Sequence, residues 1–240
     1  MMAHFWLAAL AALLAATLAA VTGFGGAAVL LPVLVAIVGV RAAIPVLTVA
    51  QLIGNGSRVW FNRGELDWRL VGWFSIGALP CGILGGMLFA AARIPVLLRL
   101  LGLFLVGVVL WRRFRPGSLP RVPPRGFAGI GGAAALVSAL TGSVGPVMAP
   151  FFLSAGLVKG AYIGTEALAT VVMHVAKLGA YRAGSVLPGS AIFAGLALGP
   201  MMIVGSWIGK RVVDRLPERI FVALIEVTMV GAGIAFLARA

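Results

Sequence analysis

Four stretches of this chain contain no Asp, Glu, Lys or Arg: residues 5–40, 70–92, 126–158 and 183–209. A run of about 20 apolar residues spans the hydrocarbon core of a bilayer, and each stretch reaches that length. No water is available there to satisfy the backbone, so such segments fold as helices whose hydrogen bonds close internally. The expected fold is all-α and polytopic, with about 8–10 membrane segments. Composition points the same way. The chain is 62% hydrophobic and 10% charged, where a soluble domain carries about 25% charged residues. A soluble enzyme, a disordered chain and a disulfide scaffold are excluded. Cys81 is alone, which rules out an intrachain disulfide or a cysteine-based zinc site.

The formal net charge is +13. In a soluble domain that excess would point to nucleic acid. Here the basic residues mostly lie between apolar segments, where they set orientation and meet anionic lipid heads, and no nucleic-acid partner is expected. The N-terminus, Met1-Met2-Ala3-His4-Phe5-Trp6, has no Lys or Arg ahead of its apolar run. It reads as the start of the first membrane segment rather than a signal peptide.

An internal repeat runs through the chain. Thr22-Gly23 recurs as Thr141-Gly142, Pro32 as Pro150, and Arg93-Ile94-Pro95 as Arg215-Leu216-Pro217, with the offset held between 117 and 122 residues. Such order over nearly the whole length is the signature of duplication. The expected organisation is a first transmembrane repeat over 1–111, a linker over 112–125 rich in Arg and Pro, and a second transmembrane repeat over 126–240. Each repeat begins with an apolar stretch broken by glycines, 5–38 and 126–155. Three longer helices follow: 42–62, 69–91 and 96–111, then 160–182, 188–210 and 218–237. The piece after each break is short. About twelve residues at 1.5 Å each cover roughly 18 Å, less than the ~30 Å core. Each broken segment is therefore a hairpin dipping to mid-membrane, or two short helices meeting there.

With both ends of each hairpin on one side, the helix ends away from the N-terminus carry twelve basic residues and the N-terminal side five. The positive-inside rule then makes both termini periplasmic and the 112–125 loop cytoplasmic. Each half crosses an odd number of times, so the halves are expected to be inverted with respect to one another. That arrangement, with substrate bound at broken helices near the midplane, is common among secondary transporters.

Two constellations could carry chemistry. In Thr22-Gly23-Phe24-Gly25-Gly26 the glycines permit positive φ, which lets backbone N–H groups converge on an anion at the start of the next helix. Thr141-Gly142-Ser143-Val144-Gly145-Pro146 repeats the feature. The alternative is close helix packing through small residues. The second constellation is a polar stripe: Gln51, Asn55 and Arg58 share one helical face, and an offset of 119 turns them into Thr170, His174 and Lys177. Intramembrane ionisable groups face interior cavities or partners; the alternative for Arg58 and Lys177 is snorkelling to the surface. Glu166 extends the second stripe and could pair with a cation. Glu166, His174 and Glu226 are candidates for proton coupling, while His174 could equally be an interhelical contact and Glu226 a simple ion-pair partner. Glu65 and Asp67 lie in a short turn and read as solvated. The substrate-binding candidates are thus Thr22, Gly23, Gly25, Gly26, Gln51, Asn55, Arg58, Thr141, Gly142, Ser143, Gly145, Thr170, His174 and Lys177.

The sequence has no G-x-x-x-x-G-K-[ST], H-E-x-x-H or G-x-S-x-G, and His4 and His174 are its only histidines. Neither an ATPase, a metal site, a cofactor nor an intramembrane enzyme is expected.

The glycine break at Thr22–Gly26 followed by Pro32, its repeat from Thr141 to Pro150, and the Arg/Pro hinge at 112–125 resemble the TauE/SafE sulfite-exporter family over almost the entire chain. The resemblance implies export of small sulfur-containing anions, such as sulfite or sulfonates, from bacteria. The expected function is a secondary transporter moving a small oxyanion across the inner membrane. An anion channel and a non-transporting membrane subunit are the rivals. Coupling to protons or sodium, and assembly as a homodimer, stay open.

Overall fold

A computed structural model of the protein describes residues 2–93, 122–221 and 223–224. Among these residues there are nine α-helices and no strand. In the first half they are α1 (Met2–Thr22), α2 (Gly26–Val38), α3 (Val40–Phe61) and α4 (Trp68–Ala91). In the second half they are α5 (Phe127–Thr141), α6 (Gly145–Ser154), α7 (Lys159–Ala183), α8 (Gly189–Ala197) and α9 (Gly199–Arg215). The expected helix at 96–111, most of the one at 218–237, most of the 112–125 loop and Glu226 fall outside the described residues.

The all-α, polytopic membrane fold read from the sequence holds. Among the described residues three spans are long and apolar enough to cross a bilayer: His4–Thr22, Trp68–Ala91 and Gly189–Arg215. Large apolar side chains such as Trp6, Ile76, Met87 and Phe193 face outward, as a lipid solvent allows. The helices α2 and α6 have 13 and 10 residues, so each is too short to cross alone, as the breaks imply.

One helix departs from expectation. The segment read as a single helix over 188–210 turns at Leu198, which separates α8 from α9, and continues to Arg215. Pro200 follows two residues later, within the first turn of α9. It lacks an N–H and disfavours a helical conformation in the residue before it, so the ladder is interrupted there.

Small residues let the helices approach closely and exchange partners between halves. On α4, Gly77 backs onto the Ala128 carbonyl of α5, and further along Gly85 backs onto Ala139. These helices run parallel. Likewise α1 and α9 run parallel, with Gly205 against the Leu13 carbonyl and Gly209 against Ala20. Close small-residue packing supplies the cohesion that lipid, as apolar as the side chains, does not. The first helix of each half thus lies on the last described long helix of the other. At the centre α3 and α7 run antiparallel: Gly164 lies under Asn62, and Glu166 beside Arg58. These two helices carry the polar stripes.

Candidate anion site between the two glycine breaks

The two breaks share one local design. The α1 backbone leaves the helical region at Gly23, with φ of 84°, and α5 does so at Gly142, with φ of 80°. The Thr22 hydroxyl donates to the carbonyls of Leu18 and Phe24, and the Thr141 hydroxyl to those of Val137 and Ser143. The equivalence fails one step later. Gly25 is left-handed at φ 92°, whereas its counterpart Val144 has φ of −148°. Only glycine enters the left-handed region at little cost, so the first break makes two such turns and the second makes one.

Each basic residue docks on the last turn of the first helix of its own half. Arg58 Nη1 donates to the carbonyls of Ala19 and Gly23, both at 2.9 Å. Lys177 Nζ donates to Ser138 Oγ at 3.0 Å and to the Ser138 carbonyl at 3.5 Å. Ser138 follows Ala19 by 119 residues, as Lys177 follows Arg58. The Ala19 and Ser138 carbonyls already accept the N–H of Gly23 and Gly142, and each cation adds a second donor at the negative pole of its helix. Snorkelling is excluded for both residues, because Arg58 is 6% exposed and Lys177 0%.

The two cations differ in their counter-charges. Arg58 Nη2 donates to Asn55 Oδ1, and Nη1 lies 3.5 Å from Glu166 Oε2. The other Glu166 oxygen accepts the Thr170 hydroxyl. Glu166 therefore pairs with the cation of the opposite half. Lys177 makes no ion pair among the described residues.

A cavity of about 40 Å³ lies between the breaks. Gly23, Gly25, Gly26, Gly142, Ser143 and Gly145 line it from the breaks, and Gln51, Asn55, Arg58, Glu166, Thr170 and His174 from the stripes. Of its lining residues only Gln51, Ser143 and Gly145 are half-buried, and the rest are buried. Three expected site residues are not in the lining. The hydroxyls of Thr22 and Thr141 are spent on their own turns, and Lys177 lies behind Ser138. Sequence reasoning missed Ser138, Ser206, Met173 and Met202, which also line the cavity. The 119-residue offset from Ala19 would have pointed to Ser138 once Arg58 was known to dock there.

Among the described residues, both ring nitrogens of His174 in the lining are buried without a hydrogen-bond partner, Glu166 Oε2 has none beyond its ion pair with Arg58, and Tyr162 Oη and Asn62 Oδ1, outside the lining, have none either. Buried polar groups are normally satisfied, so the unpartnered His174 ring in the lining marks a place for water or ligand. The hydroxyl end of the Tyr162 ring presses on Gly23 and leaves no room for a side chain there, while Gly145 backs onto Phe24, where a methyl would stand 2.7 Å from Phe24 Cβ. Gly26 likewise meets the Ala15 carbonyl at 3.0 Å. Packing therefore accounts for Gly26 and Gly145, and backbone conformation for Gly25. Among the described residues no three His, Cys, Asp or Glu side chains converge as metal ligands would.

A family model described as sulfite exporter TauE/SafE matches residues 8–236. No curated protein and no solved structure gives a match to the chain.

Proposed function

The chain belongs to the sulfite exporter TauE/SafE family of membrane transporters, and from that premise we propose that it carries a small anion outward across a bacterial inner membrane as a secondary transporter. The substrate class is a sulfur oxyanion such as sulfite or a small organosulfonate. The supporting observation is the cavity between the two breaks, with buried Arg58 in its wall and the unpartnered ring nitrogens of His174 beside it. A polar space enclosed by apolar helices is costly unless it is used. An inside-negative potential favours exit of an anion by about 2.3 kcal/mol per charge at 100 mV.

The halves are taken as inverted repeats over 1–111 and 126–240, joined by 112–125, with both termini periplasmic. The antiparallel course of α3 and α7 supports inversion. Three arginines assigned to the cytoplasmic side, Arg63, Arg125 and Arg211, stand over Trp60, Trp73 and Trp207. Tryptophan–arginine pairs of this kind suit the membrane interface.

Glu166 is the coupling group in this reading. As a carboxylate it neutralises Arg58 inside the cavity. Protonated, it leaves the guanidinium uncompensated, and at low dielectric that charge strongly favours an anion nearby. Arg58, Tyr162, His174 and Lys177 are the titratable or charged groups around it, and His174 is the candidate relay.

The test is sulfite efflux from proteoliposomes holding the purified protein. A secondary transporter gives saturable efflux and counterflow, in which external sulfite accelerates exit of labelled internal sulfite. Flux that rises linearly with concentration and shows no counterflow would make the protein a channel instead.

A further inference from the structure

Ser138 is a hydroxyl in an apolar helix, and its hydrogen bonding differs from that of most helix hydroxyls in this protein, a pattern it shares with Thr165, which accepts the Asp67 N–H. Thr17, Thr48, Ser75 and Thr141 donate their hydroxyl hydrogens to carbonyls of their own helices. Ser138 donates to none among the described residues; it only accepts, from Lys177 Nζ. While Lys177 is protonated it has donors and no acceptor, so the Ser138 hydrogen then points away from it. Ser138 lines the cavity, and the cavity is where its hydrogen is free to go. One turn before Lys177 on α7, the His174 ring lines the same space, is 1% exposed, and has neither nitrogen hydrogen-bonded.

We propose that Ser138 and His174 form the seat of the anion, two convergent donors beside the second break, and that Lys177 is a positioning residue that turns the Ser138 hydroxyl toward the cavity and places an unpaired positive charge behind it. This deepens the anion-transporter reading and rests on it. The ligand class is an oxyanion offering two acceptor oxygens, as sulfite and sulfonates do. The first half cannot build the same seat. Ala19 stands where Ser138 does, and Glu166 already compensates Arg58. A hydrogen bond donated to an ionised acceptor such as a sulfur oxyanion is about twice as strong as a neutral one.

The experiment is calorimetric titration of the purified full chain with sulfite, alongside melting temperatures of the same samples. The variants are Ser138→Ala, Ser138→Thr, Lys177→Met, and the Ser138→Ala/Lys177→Met pair. Ser138→Ala should weaken sulfite binding about tenfold, and Ser138→Thr, which keeps the hydroxyl, should stay within about threefold of the parent. Because Lys177 acts partly through the hydroxyl, the double variant should lose less affinity than the product of the single losses. Parent-like affinity in Ser138→Ala, or equal losses in the Ala and Thr variants, would overturn the seat while leaving the anion reading intact. Absence of sulfite, thiosulfate and sulfate binding to the unaltered protein would overturn the anion reading itself. Should Lys177→Met fail to fold, the comparison between Ser138→Ala and Ser138→Thr still decides.

Discussion

The Arg58 end and the Lys177 end of the cavity share a backbone plan and differ in charge. Both cations cap the helix before a glycine break, 119 residues apart, and both are buried. Arg58 faces Glu166, whose own counterpart in the first half is Leu47. Lys177 has no acid beside it among the described residues and has Ser138 where the first half has Ala19. On the proposed duplication the two ends start from one scaffold, and a handful of substitutions makes one a neutral pair and the other a positive end with a free hydroxyl.

The largest effect should come from breaking the neutral pair. Arg58→Leu strands the Glu166 carboxylate and takes a donor from the Ala19 and Gly23 carbonyls, and removing one partner of a buried pair costs about 3–5 kcal/mol. Lys177→Met strands no acid, so its cost is nearer the roughly 1–3 kcal/mol of a lost buried hydrogen-bond partner. Melting temperatures in detergent should fall more for Arg58→Leu, and Arg58→Leu/Glu166→Leu should recover part of the loss. Equal losses for the two single variants would erase the distinction between the ends.

The glycines offer the next comparison. Gly23 combines a left-handed φ with the Tyr162 ring pressed against it, whereas Gly142 has the same φ but no neighbour closer than 3.5 Å to an added methyl. Gly142→Ala should cost the strain alone, about 1–3 kcal/mol, and Gly23→Ala should be worse. Gly25→Ala should also be strained, whereas Val144→Gly, at a residue that is not left-handed, should not relieve any strain.

How far the sequence carries the reader follows the same division. The glycine breaks and polar stripes were legible because each violates the apolar helix around it, and such violations are expensive in a membrane. The docking of Arg58 and Lys177 on helix ends was not, since a basic residue one turn from a helix end reads equally well as snorkelling. Ser138 and Ser206 escaped notice because a hydroxyl can satisfy itself on its own helix. The turn at Leu198 was hidden for a different reason: Pro200 lies in an uninterrupted apolar run, and Pro80 in the first half is accommodated inside α4 without a break.

A smaller effect separates the ends functionally. Sulfite affinity should rise as pH falls through the titration of Glu166, because the protonated acid no longer offsets Arg58. Glu166→Gln should fix affinity at its low-pH level, with a change of about tenfold or 1.4 kcal/mol. A Glu166→Gln protein that keeps the full pH dependence would move the coupling elsewhere. The smallest expected effect lies outside the cavity. Arg211→Gln removes a cation–π contact at 4.1 Å to Trp207, worth about 0.5–1 kcal/mol at an exposed site, and should leave sulfite affinity unchanged.

The central claim is that an oxyanion binds between the two breaks, closer to the second. Selenite is a heavier analogue of sulfite, and selenium's anomalous scattering locates it directly in crystals of the protein. The account predicts a selenium peak within hydrogen-bonding distance of Ser138 Oγ and the His174 ring. A peak beside Arg58 with none at Ser138, or peaks only at surface arginines such as Arg63 and Arg211, would contradict it.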